Sequence, residues 1–351
     1  MNPLTAQSAH LNTPKAIALL SGGLDSALAA ALVKSWGIEV IGLHLTSPFG
    51  CETHAEKVAK ELNISLITQA KGEAFIDLVS APTYGYGSQM NPCVDCRIYM
   101  FQIAEKVLKE QKADFIVTGE VVGQRPLSQN KANIQLIERK SPLERLVVRP
   151  LSGGNLPPTL AEEKGWILRS CLLKISGRGR TEQLALAKQL GISAFSSPGG
   201  GCLLTETAFS DRLKDFFSHP TYANSEEKES QAQMLRLGRH FRIHSNLKVI
   251  VARTDSENAE LLSHWEQSGA QLVEPVNYKG PIAVSLGTLC KDDKTTIAKL
   301  LSKYGRKNDE GPFLTRFKSH NSTLQPQEDE LISTTEKLAE SIIEHWRIGI
   351  T

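Results

Sequence analysis

The 351-residue sequence predicts an α/β protein, a doubly wound parallel sheet with a smaller C-terminal α+β domain. Three observations carry that expectation. Short apolar runs alternate with helical patterns through the first part of the chain, a glycine-bearing turn joins the first run to the first helix, and strands and helices resume beyond Met234. A chain of this length is expected to hold two domains. Its pattern divides at 1–13 (a flexible N-terminus), 14–202, 203–233 (a connector), 234–306 and 307–351 (a polar tail and final helix).

Taken in order, Ala16 to Leu20, Glu39 to Leu45, Ile64 to Thr68 and Asp114 to Thr118 read as strands. Ala27 to Trp36, Cys51 to Leu62 and Tyr99 to Gln111 carry apolar positions at helical spacing. Such alternation places a ligand at the carboxyl ends of the strands. Gly119 to about Glu162 is irregular and holds Pro126, Pro142, Pro150, Pro157 and Pro158; a loop this long inside a domain is usually functional. Glu162 to Leu172 fits a helix, and Thr181 to Leu190 is a helix closed by Gly191. Ser196 to Cys202 is a glycine-rich turn presenting a thiol. The connector is helical with a polar loop from Pro220 to Ser230. Beyond it Leu247 to Ala252 and Ile282 to Leu286 read as strands, Ser256 to Ser268 and Lys294 to Tyr304 as helices. Lys307 to Glu330 is polar and loose, and an amphipathic helix from Glu328 to Trp346 ends the pattern.

The segment Ser21-Gly22-Gly23-Leu24-Asp25-Ser26 fixes the broad chemistry. A strand that turns at two glycines into a helix aims free N–H groups and the positive end of the helix dipole at one point, which suits an anion. Gly22 and Gly23 allow close backbone approach, and the Ser21 and Ser26 hydroxyls add donors. Phosphate is the natural guest. A Walker A loop would carry Gly-Lys-Ser/Thr, and no lysine follows until Lys34, which argues against a γ-phosphate-splitting NTPase. The bland alternative is a ligand-free turn at a strand-to-helix corner.

Asn91-Pro92-Cys93-Val94-Asp95-Cys96 sets two cysteines at a spacing that lets both sulfurs meet one metal or each other. A closed zinc site would want a second such pair, whereas Cys51, Cys171, Cys202 and Cys290 are singletons. A thioredoxin-type redox pair at a helix start is the alternative. Cys202, beside Gly199 to Gly201, supplies a third thiol from another loop; three thiolates could hold an iron–sulfur cluster with one iron open to exogenous sulfide.

Composition restricts the class further. Hydrophobic residues at 40% and charged residues at 22% are those of a soluble protein, no apolar run reaches a membrane span, and residues 1–13 lack a signal-peptide pattern. A cytoplasmic protein with no membrane partner is therefore expected, and six unevenly spaced cysteines do not read as a secreted disulfide framework. The net charge of +2 hides local bias. Bases dominate Arg139 to Arg180, and Arg236, Arg239, Arg242, Lys248 and Arg253 interleave with His240, Phe241 and His244. Clustered bases next to aromatic groups suit a phosphate backbone and stacked bases; a solvated face is the alternative.

Ser21 to Ser26 closely resembles the SGGxDS pyrophosphate loop of the PP-loop ATP pyrophosphatases, whose fold is adenine nucleotide alpha hydrolase-like. Together with Pro92-Cys93-Val94-Asp95-Cys96 and the lone Cys202, it is similar to the tRNA thiolation enzymes of that superfamily, the 2-thiouridylases and the 4-thiouridine synthase-like branch. Thr118 to Pro126 and Pro198 to Glu206 resemble the same branch, and Gly238 to Arg242 and Arg253 to Asn258 resemble the RNA-binding domain of the NFACT proteins. The resemblance implies that 14–202 is an ATP-binding catalytic domain and 234–306 an RNA-binding one. It implies ATP and magnesium at Ser21, Gly22, Gly23, Asp25, Ser26 and Gly119, with His44 bordering the adenine or simply a satisfied loop histidine. Arg125, Arg178 and Arg180 become candidate phosphate clamps.

The implied reaction is ATP-dependent tRNA thiolation: a uridine carbonyl oxygen attacks the α-phosphorus and sulfur then displaces AMP. Sulfur comes either from a four-iron four-sulfur cluster on Cys93, Cys96 and Cys202, the favoured route, or from a persulfide on Cys202 released by Cys93. Partners would be tRNA or another structured RNA and a sulfur donor protein or sulfide, with a homodimer as a possible assembly. The rivals are a PP-loop ligase or amidotransferase acting on a small-molecule carbonyl, and a non-catalytic RNA-binding adaptor. Two departures stand out: Glu120 occupies the place where many relatives have histidine after Thr-Gly, and the N-terminal RNA-binding module of the 4-thiouridine synthases is missing.

Overall fold

A computed structural model of the protein describes residues 13–49, 54–196, 202–306, 310–319 and 329–349. The chain divides into two units, Met1–Gly87 with Asn91–Gly201, and Ser88–Met90 with Cys202–Thr351.

The first unit is built on five strands, β1 (Lys15–Leu19), β2 (Glu39–Thr46), β3 (Ser65–Ala70), β4 (Phe115–Val117) and β5 (Val147–Val148), in the order β3-β2-β1-β4-β5. Every pairing is parallel. Its helices are α1 (Leu24–Ser35), α2 (Ala55–Glu61), α3 (Glu73–Ser80), α4 (Cys93–Glu110), α5 (Lys131–Lys140), α6 (Leu160–Glu163) and α7 (Thr181–Leu190). A central strand alternates its side chains between two cores, and β1 shows it. Ala16 and Ala18 pack with Leu28, Ala187 and the rest of the α1 and α7 face, while Ile17 and Leu19 pack with Phe101, Val107 and Ile137 from α4 and α5. The small residues of β1 and the alanines of α1 let that helix lie close to the sheet. The strand order reverses direction at β1 and β4, so the crevice between their carboxyl ends is the topological switch point where ligands bind in such sheets.

The second unit is a seven-stranded sheet, β6 (Arg239–His244), β7 (Leu247–Val251), β8 (Gln271–Pro275), β9 (Ala283–Leu286), β10 (Phe313–Ser319), β11 (Glu330–Thr334) and β12 (Arg347–Ile348). The order is β11-β10-β8-β9-β7-β6-β12, and every pair is antiparallel. One face packs Phe241, Val249 and Phe317 against Ile297, Leu300 and Leu301 of α11 (Lys291–Lys303); the other packs Ile250, Leu272 and Val284 against Met234 and Leu261. The remaining helices are α8 (Thr207–Ser218), α9 (Ser225–Met234), α10 (Asp255–Trp265) and α12 (Glu340–Trp346).

Several expectations are corrected. Glu162 to Leu172 is not a helix: α6 ends at Glu163, the chain turns at Lys164 and Gly165, and only a 3₁₀ turn, Arg169–Cys171, follows. The polar stretch after Pro220 becomes helical at Ser225 because the Asn224 side chain caps α9 by accepting from the Glu227 N–H. The final helix is short, since Glu330–Thr334 pairs with Phe313–Ser319 instead; period-two burial of Phe313, Thr315 and Phe317 decides for a strand where the tail was expected to be loose. The strands β5, β6, β8 and β12 and the helices α3 and α5 join those read from the pattern. Cys51 and the turn residues 197–201 lie outside the described residues.

Between α8 and the sheet sits a buried ion cluster. Arg242 donates two bonds to the Asp215 carboxylate, Nε to Oδ1 and Nη2 to Oδ2, both 2.8 Å, and Lys248 Nζ lies 2.8 Å from Oδ2. Burial pushes the Lys248 ammonium down to about 8 even beside Asp215. The folded chain therefore binds fewer protons than the unfolded chain from about pH 8 up to the ordinary lysine value of 10.5, and over that window this group adds stability as pH rises. Urea unfolding should show the native chain gaining on the Lys248→Met variant between pH 8 and pH 10; a constant difference would refute the assignment.

Candidate functional site

The SGGLDS loop leaves β1 and enters α1 without a side-chain cap, Gly23 standing at the N-cap position. The N–H groups of Leu24, Asp25 and Ser26 open the helix and have no acceptor within it. The two serines brace the turn from inside: Ser26 Oγ donates to the Gly23 carbonyl at 2.9 Å, lies 3.1 Å from Ser21 Oγ and accepts from the Ser21 N–H at 3.2 Å. Ser26 is thus buried scaffolding, while Ser21 remains exposed.

Two glycines are required by close approach. Gly22 has φ +76°, and a Cβ there would stand 2.5 Å from the His54 nitrogen at the start of α2. A Cβ on Gly119 would stand 2.4 Å from the Asp25 carbonyl carbon and oxygen. The Thr-Gly turn after β4 is therefore seated directly on the first turn of α1, and any side chain at 119 would pry the switch point apart. Ser196 closes the other side, its N–H and hydroxyl both donating to the Gly22 carbonyl at 2.9 and 3.2 Å.

Asp25 is held on one oxygen only. Its Oδ2 accepts from Gln124 Nε2 at 2.6 Å, with Gln183 Nε2 behind Gln124 at 3.4 Å, while Oδ1 is buried and has no partner. An orphaned carboxylate oxygen beside an uncapped helix start fits a hydrated magnesium ion carried in on phosphate. His44 is buried on β2 with its Nδ1 3.0 Å from the carbonyl of Leu20, the residue between β1 and the loop.

The thiols of Cys93 and Cys96 sit on the first turn of α4, neither of them in a disulfide. Burial, and next the neighbouring Cys96, push the Cys93 thiol up, against the lowering pull of Arg125 and Arg97. Lys71 Nζ lies 3.6 Å from Cys96 Sγ and 4.3 Å from the Phe75 ring centre; the Tyr99 hydroxyl donates to the Lys71 carbonyl at 2.7 Å, so α4 fixes this lysine. Asp95, between the cysteines, accepts from the Thr83 and Tyr84 N–H groups. Cys202 belongs to the second unit and is exposed at the start of the 3₁₀ turn Leu203–Thr205. Among the described residues no three His, Cys, Asp or Glu side chains gather as a metal site. Cys171 is half-buried, and Cys290 heads α11.

Glu120, the departure noted in the sequence, is fully buried. Its Oε2 accepts from Arg149 Nε at 2.9 Å and from the Thr118 hydroxyl at 3.2 Å, and its Oε1 lies 3.1 Å from Arg97 Nε. Burial alone would raise its pKa, but Arg97 and Arg149 overcome that and hold the carboxyl below its usual range. Arg149 also pairs with Glu138 of α5.

Of the expected clamps, Arg125 and Arg178 are exposed and Arg180 half-buried, and none has an ion pair among the described residues. The basic stretch from Arg139 to Arg180 is divided: Arg149 turns inward, and Arg145 and Arg169 are taken by Glu163 and Glu162. A cavity of about 310 Å³ opens between α5, β5 and Pro157-Pro158, lined by none of the loop residues. Sequence reasoning missed Ser196, Gln124, Gln183, Lys71 and Arg97; only the proximity of Arg97 to the cysteines and of Gln124 to Thr-Gly could have flagged them.

Glu120→Gln would leave Arg149 buried with half its compensation. Denaturant unfolding should register a loss of about 3–5 kcal/mol, the usual cost of breaking a buried pair. A loss within about 0.5 kcal/mol, the range of ordinary surface changes, would show that the carboxylate is not structural.

Residues 12–155 match the family profile described as thiamine biosynthesis protein (ThiI), and residues 238–347 the one described as NFACT protein RNA binding domain. A protein named probable tRNA sulfurtransferase from Methanothermobacter thermautotrophicus is 29% identical over 254 residues, covering 66% of this chain and 54% of that protein. Its namesake from Thermococcus kodakarensis is 33% identical over 147 residues, covering 40% of this chain and 37% of that protein. The chain thus spans about half the length of the first of these relatives and over a third of the second. A solved 4-thiouridine synthetase–RNA complex with bound ATP aligns at 23% identity and a TM-score of 0.34, over 51% of this chain and 50% of that one. Residues 12–155 thus carry a domain of the ThiI type and residues 238–347 one of the NFACT RNA-binding type, and the chain is similar to proteins named tRNA sulfurtransferase.

Proposed function

We propose that this chain is an ATP-dependent tRNA sulfurtransferase, which adenylates a uridine carbonyl and replaces its oxygen with sulfur. The observation that carries this reading is the half-satisfied Asp25 at the uncapped start of α1, with Gly119 pressed against the same turn. That arrangement suits a polyphosphate and its cation. The N–H groups of α1 would hold the pyrophosphate and Asp25 Oδ1 would orient magnesium. The uridine oxygen would attack the α-phosphorus, pyrophosphate leaving. Positioning and charge stabilisation suffice for that step. A sulfur nucleophile would then take the carbon, and the oxygen would depart with AMP.

Cys93, Cys96 and Cys202 are assigned to the delivery of sulfur. The first two share one helical turn, and the described residues by themselves do not compose a metal site. The cluster and persulfide routes both start from these three thiols.

With tRNA and ATP supplied, Asp25→Ala and Gly119→Ala should each reduce AMP formation by about 100-fold or more, the scale seen when one stabilising contact is removed, with tRNA affinity retained. AMP released at the full rate without RNA would overturn the reading in favour of a small-molecule ligase. Iron and acid-labile sulfide should be measured on protein purified without oxygen. About four irons per chain, lost in each of the Cys93, Cys96 and Cys202 to alanine variants, is the outcome expected of a cluster on three thiolates; iron-free, colourless protein after anaerobic reconstitution would eliminate the cluster and leave the persulfide route.

A further inference from the structure

The basic residues of the second unit separate into two sets. Arg242 and Lys248 are committed to Asp215, and Arg236 to Glu260. Arg253 pairs with Glu257 on the exposed side of its strand end. Two arginines far away in sequence then join it. β6 pairs with β12 so that His240 lies opposite Ile348 and Phe241 opposite Arg347, while Arg239 lies opposite Val251, two residues before Arg253. Arg239, Arg253 and Arg347 therefore share one corner of the sheet. Arg212 of α8 reaches the same corner: Nη1 donates to the Leu235 carbonyl at 3.2 Å, and Nε is buried with no partner.

Neither Arg212 nor Arg347 has an ion pair among the described residues, and Glu257 is the carboxylate that bears on Arg212. After burial, the charges of Arg253 and Arg347 are what lower the Arg212 pKa, so these guanidinium groups stand within electrostatic reach of one another. Nearby Arg239 lies over the Tyr304 ring, its Cζ 4.9 Å from the ring centre, and its Nη1 donates to the Ala252 carbonyl at 3.4 Å. Crowded like charges cost stability unless an external anion relieves them, and planar guanidinium donors match phosphate oxygens.

We infer that Arg212, Arg253 and Arg347 form a phosphate-binding corner on the second unit, which takes consecutive backbone phosphates of an RNA. This deepens the reading of the chain as tRNA-binding and rests on it. A backbone contact of this kind positions RNA without selecting sequence.

The test is fluorescence anisotropy of labelled tRNA against the full-length chain across a salt series, with Arg212→Gln, Arg347→Gln, the double variant, and Arg316→Gln on β10 as a distal control, and thermal melting of each. Each corner substitution should lower the slope of log affinity against log salt by about 0.7–0.9. The double variant should bind about 10-fold more weakly at low salt, with melting temperature retained or raised because the crowding is relieved; Arg316→Gln should match the native chain. Native slope and affinity in a folded double variant would overturn the corner and leave RNA binding standing. Absence of tRNA binding by the native chain at low salt would overturn the RNA reading, and the corner with it.

Discussion

The first unit depends on one buried carboxylate. Glu120 links Arg97 of α4 to Arg149 at the end of β5, and through Thr118 it fixes the turn after β4. That turn carries Gly119, which touches the first turn of α1. The helix that bears Cys93 and Cys96 and the SGGLDS loop are therefore referenced to the same side chain. Two guanidinium groups around one buried carboxylate make a stiff joint, since losing the carboxylate leaves the buried Arg149 with Glu138 alone. Its reach also explains why the acid after Thr-Gly is met by two arginines supplied from elsewhere in the chain.

The parallel sheet was legible because its strands and helices have different periods and because β1 is followed by two glycines. The SGGLDS turn from β1 into α1 was legible for the same reason: its geometry is local, contained in six consecutive residues. What escaped reading was every partner brought from afar. Ser196 reaches Gly22 across 174 positions and Gln124 reaches Asp25 across 99. No spacing rule connects such residues. The second unit was read less completely, because edge strands such as Arg347–Ile348 are too short to show a period and β10 is half polar, so the tail looked unstructured. The strand pairing with β8 and β11 that defines it lies in neighbours, not in its own sequence.

Charge was the feature least readable from sequence. The five bases between Arg236 and Arg253 look alike on the page, yet folding gives them opposite roles. Arg242 and Lys248 are drawn inside by Asp215 from α8, where two cations around one acid hold helix to sheet. Arg253 remains outside, paired with Glu257 and within electrostatic reach of Arg212. A basic stretch is thus a count of charges before burial has divided them, and only the acids that meet them decide which remain for a ligand.

A missing helix cap does not by itself mark a ligand site, for α3, α7 and α8 also begin without side-chain caps. What distinguishes α1 is the conjunction at its first turn: a backbone conformation at Gly22 that side chains avoid, a neighbouring strand end packed too tightly for a Cβ, and an acid with one oxygen unsatisfied. Departures from local preference that converge on one point, at the switch point of the sheet, are where folding has yielded to a second demand. The corner at Arg212 obeys the same logic in the second unit, with crowded charge in place of a strained turn.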